Sequence, residues 1–149
     1  MNKRFVFKIV LAVALVSIGH LAIAADQPAA GRQSARHQKV VLQVSDDNPG
    51  TWTQALNVAK NVQQEYGVDK VDVEIVAFGR GIGILKLDSP VATRIDEAMA
   101  SRVNIVACEN TMRGQKLTQQ DMLPKIAYVP AGIIEIIKRQ KQGWAVIRP

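Results

Sequence analysis

The chain reads as an α/β protein in which a five-stranded, mainly parallel sheet carries helices on both faces. Three observations predict this. Five short apolar, β-rich runs recur along the chain with helical patterns between most of them, the order expected of a parallel sheet. Several of those runs are close to continuously apolar, as strands covered on both faces are. Once the first residues are set aside as an export signal, roughly 110 residues remain, an ordinary size for a single core. The preference for right-handed crossovers leaves few other topologies.

The amino terminus has the three parts of a secretory signal. Lys3, Arg4 and Lys8 make a positive start, Ile9 to Ile18 is almost wholly apolar, and Ala22-Ile23-Ala24 places small residues at a cleavage site. The apolar run reaches about 15 residues, short of the ~20 that span a bilayer as a helix, so a cleaved signal is favoured over an uncleaved anchor. Residues 1–24 are thus expected to be a signal peptide, 25–38 a flexible leader, and 39–149 the folded domain, with the mature protein periplasmic and free of the membrane. Cleavage removes three of the 19 basic residues and none of the 13 acidic ones, lowering the formal charge from +6 to +3. What excess is left lies in the leader and in Lys138, Arg139 and Lys141 without interleaved aromatics, so no nucleic-acid footprint is present.

The elements then follow in order. Lys39 to Val44 is a buried strand, and Asp46-Asp47-Asn48-Pro49-Gly50 a polar break. From Thr51 a helix presents Trp52, Ala55, Leu56, Ala59, Val62, Gln63 and Tyr66 at helical spacing and stops at Gly67. The Asp46-Asp47 pair suits loop solvation and capping better than a magnesium site, since a third carboxylate at a later strand tip is missing. In Val71 to Phe78, Asp72 and Glu74 alternate with apolar residues, which predicts a strand with one wet face near an edge or an interface. Gly79-Arg80-Gly81-Ile82-Gly83 follows, read either as a plain tight turn or as a ligand-facing loop in which backbone N–H groups and Arg80 suit an anion. Pro90 precedes a helix whose inward stripe is Val91, Ile95, Ala98 and Met99.

That helix leads into the strand Val103 to Ala107 and to Cys108, the only cysteine. A short helix at Leu117 to Pro124, with a capping pair at Thr118 and Asp121, comes next. The chain closes with a brief strand at Ile126 to Val129, a turn at Pro130-Ala131-Gly132, a helix from Ile133 to Gln142 and a last strand at Trp144 to Ile147. Ile133, Ile134, Ile136 and Ile137 exceed what one sheet-facing stripe requires, which predicts a homo-oligomer contact.

Cys108 is the centre of chemical interest. It has no internal disulfide partner, and neither of the two histidines falls in the folded segment where it would support a Cys-His zinc site or nucleophile pair. It is a buried structural residue, paired with another molecule, or a reactive thiol. Its place at a strand-to-helix turn favours the thiolate, because unsatisfied N–H groups and the helix dipole lower a thiol's pKa. Arg113 adds to this effect and Glu109 opposes it. Asn110 and Thr111 serve either as helix caps or as hydrogen-bond partners of a bound sulfur species.

Ala107-Cys108-Glu109-Asn110-Thr111-Met112, Leu123-Pro124, Val129-Pro130-Ala131-Gly132 and the closing Gln142-Gly143-Trp144-Ala145 to Pro149 resemble the DsrE/DsrF-like family, in its exported branch, over about Lys39 to Pro149. The resemblance implies a three-layer α/β/α fold with a five-stranded parallel sheet, assembly as a trimer or hexamer, and Cys108 as a residue that accepts sulfane sulfur as a persulfide. The expected site is therefore Cys108 as the reacting residue, with Asn110, Thr111, Arg113, Gly79, Arg80 and Gly81 as ligand contacts. No cofactor or metal is expected, and the partners would be a sulfur donor or acceptor protein or a small sulfur compound. The alternative is a non-catalytic oligomeric module that binds a small ligand, with Cys108 purely structural.

Overall fold

A computed structural model describes residues 37–149. The expected export signal, and the expected leader up to residue 36, lie outside the described residues. Five strands, β1 (Gln38–Val44), β2 (Val71–Ala77), β3 (Val103–Cys108), β4 (Ala127–Val129) and β5 (Ala145–Ile147), form one sheet in the order β4-β3-β2-β1-β5. All four pairings are parallel. The helices are α1 (Pro49–Tyr66), α2 (Ala92–Ala100), α3 (Glu109–Gly114) and α4 (Gly132–Lys141), with 3₁₀ turns at Gly79–Leu85 and Gln119–Asp121.

Because strand side chains alternate, the register divides the core in two. Val40, Leu42, Val44, Val73, Ile75, Ile105 and Ala107 point to one face, where Trp52, Leu56 and Ala59 of α1, Ile95 of α2, Ile82, Ile84 and Leu85 of the first 3₁₀ turn and Met112 of α3 bury them. Val41, Val76 and Val106 point to the other, where the buried apolar cluster is completed by a single α4 residue, Ile136. The first face is thick and the second is one helix deep.

Several local readings need correction. Helix α1 starts at Pro49, two residues before the predicted Thr51, because Asn48 caps it by accepting from the Gly50 N–H at 2.8 Å and Pro49 presents the fixed φ of a first helical residue. The predicted short helix after Leu117 contracts to the 3₁₀ turn at Gln119–Asp121. There the Thr118 N–H and hydroxyl both donate to Asp121 Oδ2, at 2.7 and 2.8 Å, and hold that carboxyl below the usual range.

The larger correction concerns β2, which is the middle strand and not an edge. Asp72 is exposed as expected, but Glu74 is completely buried, and Arg139 of α4 supplies its counter-charge from 65 residues along the chain. A period-two alternation of charged and apolar residues marks a wet face only when no distant cation arrives to neutralise it.

In α4 only Gly132, Glu135 and Ile136 are buried. Ile133, Ile134 and Ile137 remain 48%, 60% and 41% exposed on the single chain, which leaves an apolar strip along the outside of the helix. Among the described residues no helix is long and apolar enough to cross a membrane.

Candidate functional site

Cys108 is the last residue of β3, opposite Val129 of β4. The connections that leave these two neighbouring strands part to opposite faces: α3 sends Met112 into the thick core, and α4 sends Ile136 into the thin one. Such a divergence at the carboxyl ends of parallel strands opens the crevice in which open α/β sheets bind ligands. The sulfur therefore lies at the topological switch point, between the amino ends of two helices.

Cys108 is itself the N-cap of α3, with φ −83° and ψ 108°, so the helix begins one residue before Asn110 and neither Asn110 nor Thr111 caps it. The Thr111 N–H lies 3.5 Å from Sγ. The thiol, 4% exposed, is pushed up by burial, but the donors around it outweigh that cost and hold it below the ordinary thiol range. They are the Thr111 hydroxyl and the backbone N–H groups of Gly132, Thr111 and Asn110, the last shared with the Pro130 carbonyl at 3.1 Å.

The hydroxyl of Thr111 is itself oriented. Gly79 donates its N–H to Thr111 Oγ1 at 2.9 Å, which turns the hydroxyl proton toward the sulfur. Gln115 Nε2 donates to the Gly79 carbonyl at 3.0 Å, so both peptide groups of this residue are tied to the α3 segment. Gly79 has φ +56°, a conformation that favours glycine. Replacing Thr111 with valine is expected to raise the pH at which Cys108 ionises, since a donor to the charged form is lost at constant volume. Thiolate absorbance against pH reads this directly; an unmoved midpoint would show the hydroxyl to be idle.

The other expected contacts are less closely gathered. Asn110 is exposed and accepts from Arg113 Nη2 at 2.9 Å, so these two side chains pair with each other on the outside of α3. Arg80, 80% exposed, reaches Asp47 Oδ2 at 3.5 Å in the loop after β1. Gly81 is buried against the end of β1, where a Cβ would lie 2.4 Å from the Val44 carbonyl oxygen. Its hydrogen is required by packing. Of the glycine run, Gly79 is the member the fold joins to the cysteine.

Sequence reasoning missed Gly132, which it read only as part of a turn. A Cβ on this residue would lie 3.0 Å from Phe78 Cβ, 3.2 Å from Cys108 Cβ and 3.2 Å from Val76 Cγ1, so only glycine seats α4 this close to the sulfur without displacing a neighbour. The available signal was a glycine directly before an apolar helix in a chain whose crevice lies at the strand tips. Among the described residues no group of three or more His, Cys, Asp or Glu side chains is placed to hold a metal ion.

Three solved structures resemble this one. A protein of unknown function from Methanobacterium thermoautotrophicum is 28% identical with a TM-score of 0.71, over 75% of this chain and 99% of that one. A conserved protein of unknown function from Bacteroides thetaiotaomicron is 18% identical at a TM-score of 0.60, over 75% and 95%. The ychN protein of E. coli is 12% identical at 0.62, over 75% and 99%; these last two show the shared fold alone. Comparison with curated proteins gives no match. The family model for the DsrE/DsrF-like family matches residues 38–149, the whole of the sheet and its helices, and the chain belongs to that family.

Proposed function

We propose that the protein is a periplasmic sulfur carrier that holds sulfane sulfur as a persulfide on Cys108. The observation that carries this reading is the convergence of hydrogen-bond donors from two helix amino ends on one thiol at the switch-point crevice. Donors that favour a thiolate also favour the anion of a persulfide occupying the same cradle. The exchange is balanced without an external oxidant. The Cys108 thiolate attacks the outer sulfur of a donor persulfide, a new S–S bond forms as the donor's S–S bond breaks, and the donor departs as a thiolate. Release to an acceptor thiolate is the same step in reverse.

The test is intact mass after incubation of the mature protein with a sulfane-sulfur donor. Wild type is expected to gain the mass of one sulfur atom, reversibly under a reducing thiol, and Cys108→Ser is expected to gain none. No adduct on wild type, or an equal adduct on the serine variant, sinks the proposal.

One observation favours the second reading, a non-catalytic ligand-binding module with a structural cysteine. The thiol is only 4% exposed. Refusal to react with iodoacetamide until denaturant is added would support it.

In either reading the protein is proposed to be a homo-oligomer, trimeric or hexameric, joined through the exposed Ile133, Ile134 and Ile137. Light scattering of the mature protein is expected to give a multiple of the chain mass, and Ile134→Glu to lower it. A wild-type monomer would contradict this.

A further inference from the structure

Glu74 lies in the middle of the sheet, wholly shielded from solvent. Arg139 of α4 donates Nε to Oε1 at 3.0 Å and Nη2 to Oε2 at 2.6 Å, and Asn104 of β3 donates Nδ2 to Oε2 at 2.8 Å. Glu135, one turn back on α4, reaches Arg139 Nε at 2.9 Å, and the guanidinium lies 4.7 Å from the centre of the Trp144 ring. Asp72, at the wet end of β2, is the remaining charge acting on Arg139. A buried pair of this kind is a poor source of stability, because desolvation offsets the attraction and apolar residues of similar volume do as well or better. What a bidentate guanidinium–carboxylate contact does supply is fixed distance and fixed angle.

Helix α4 requires such a constraint. Among the described residues it is the one helix on its side of the sheet, and its buried apolar side chain there is Ile136. A single knob does not determine the rotation or axial position of a helix. Yet at its amino end, two turns from Arg139, Gly132 packs so closely that a Cβ there would lie 3.0 Å from Phe78 Cβ and 3.2 Å from Cys108 Cβ and Val76 Cγ1, and its N–H is among the groups that favour the Cys108 thiolate. A slip or roll of α4 would carry Gly132 away from Cys108.

We propose that the Glu74–Arg139 ion pair is a positioning device for Cys108, locking α4 in the setting that keeps the Gly132 N–H on the sulfur. Arg139 and Glu74 are positioning residues and never touch a substrate. The use of the device rests on the carrier reading, while the positioning itself is measurable without it.

The experiment titrates the Cys108 thiolate by ultraviolet absorbance in wild type, in Arg139→Lys, and in the double variant Glu74→Leu/Arg139→Leu, which removes the pair without leaving Glu74 unpaired, while Glu135 keeps Lys138 at 3.6 Å. The expected result is a midpoint raised in both variants, by about half a unit or more in the double one, a roughly threefold loss of thiolate near neutrality. Ile95→Val, in the core of the opposite face, serves as control: it is expected to lower the melting temperature and leave the midpoint in place. Folded variants with the wild-type midpoint overturn the proposal, and so does an equal shift in Ile95→Val. If the double variant does not fold, Arg139→Lys alone decides, and an unmoved midpoint there is fatal. A wild type that takes up no sulfur while the variants shift sinks only the carrier reading; one that takes it up while they do not shift sinks only the positioning.

Discussion

Replacing Gly81 with alanine is expected to destabilise the domain by about 3 kcal/mol, at the upper end for an overpacked site. The added Cβ would meet the Val44 carbonyl oxygen at 2.4 Å, the Val44 carbonyl carbon at 2.6 Å and the Ser45 amide nitrogen at 2.7 Å. All three are backbone atoms at the end of an interior strand, so no side chain can swing aside to make room. Either the 3₁₀ turn at Gly79–Leu85 lifts away, unseating the fully buried Ile84 and Leu85, or β1 bends out of register with β2. Thermal unfolding should show a melting temperature lower by roughly 10 °C or more. Moving the turn also moves Gly79, so the donor to Thr111 Oγ1 is disturbed and Cys108 should ionise at higher pH than in wild type. A variant as stable as wild type would show that the turn has slack that these contacts do not reveal.

Arg139→Ala is expected to cost about 3–5 kcal/mol, because it leaves a buried carboxylate with a single neutral donor. Glu74 is 0% exposed, and after the truncation Asn104 alone contacts it. Glu135, 8% exposed, loses the closer of its two cations and keeps Lys138 at 3.6 Å. Trp144 loses the guanidinium that covers its ring. The double change Glu74→Leu/Arg139→Leu should cost much less, since Glu74 leaves with its partner, Val41, Val76 and Val106 offer apolar surroundings, and Glu135 keeps Lys138. Denaturant unfolding of the two variants decides the matter. If the double variant proves as damaging as the single one, then the stranded charge is not the cause and the hydrogen-bond geometry is.

The five strands and the longer helices between them were legible in the sequence because they depend on local apolar runs and their spacing. Val103 to Cys108 and Ile133 to Lys141 each carry that signal within their own few residues. The placement of Cys108 at a strand tip followed from the same local pattern. What could not be read were pairings across long sequence separations. Nothing near Glu74 announces that Arg139 will meet it, and so a fully buried residue looked like a wet one. The glycines divide in the same way. Gly79 has a left-handed φ that a turn-rich run foretells, whereas Gly81 and Gly132 are glycine because Val44, Phe78, Val76 and Cys108 arrive from elsewhere in the fold. Arg80 seemed suited to an anion only because Asp47, its partner across the turn, lies 33 positions earlier.

The single-helix layer on one side of the sheet has a consequence for the order in which the molecule comes together and comes apart. Strands β1 to β4 lie side by side in chain order, and α1 and α2 cover them from the thick side, before any residue beyond Val129 is required. The segment from Gly132 to Pro149 then crosses back over the opposite face and finishes as a three-residue strand on the far edge of β1. It is held by Ile136, the close approach of Gly132, the Arg139 ion pairs, partly buried Trp144 and Ile147, and a short ladder. Segments with so few buried contacts open at lower free energy than the body they rest on. Opening of this segment would carry Gly132 away from Cys108 while β1 to β4 stay paired.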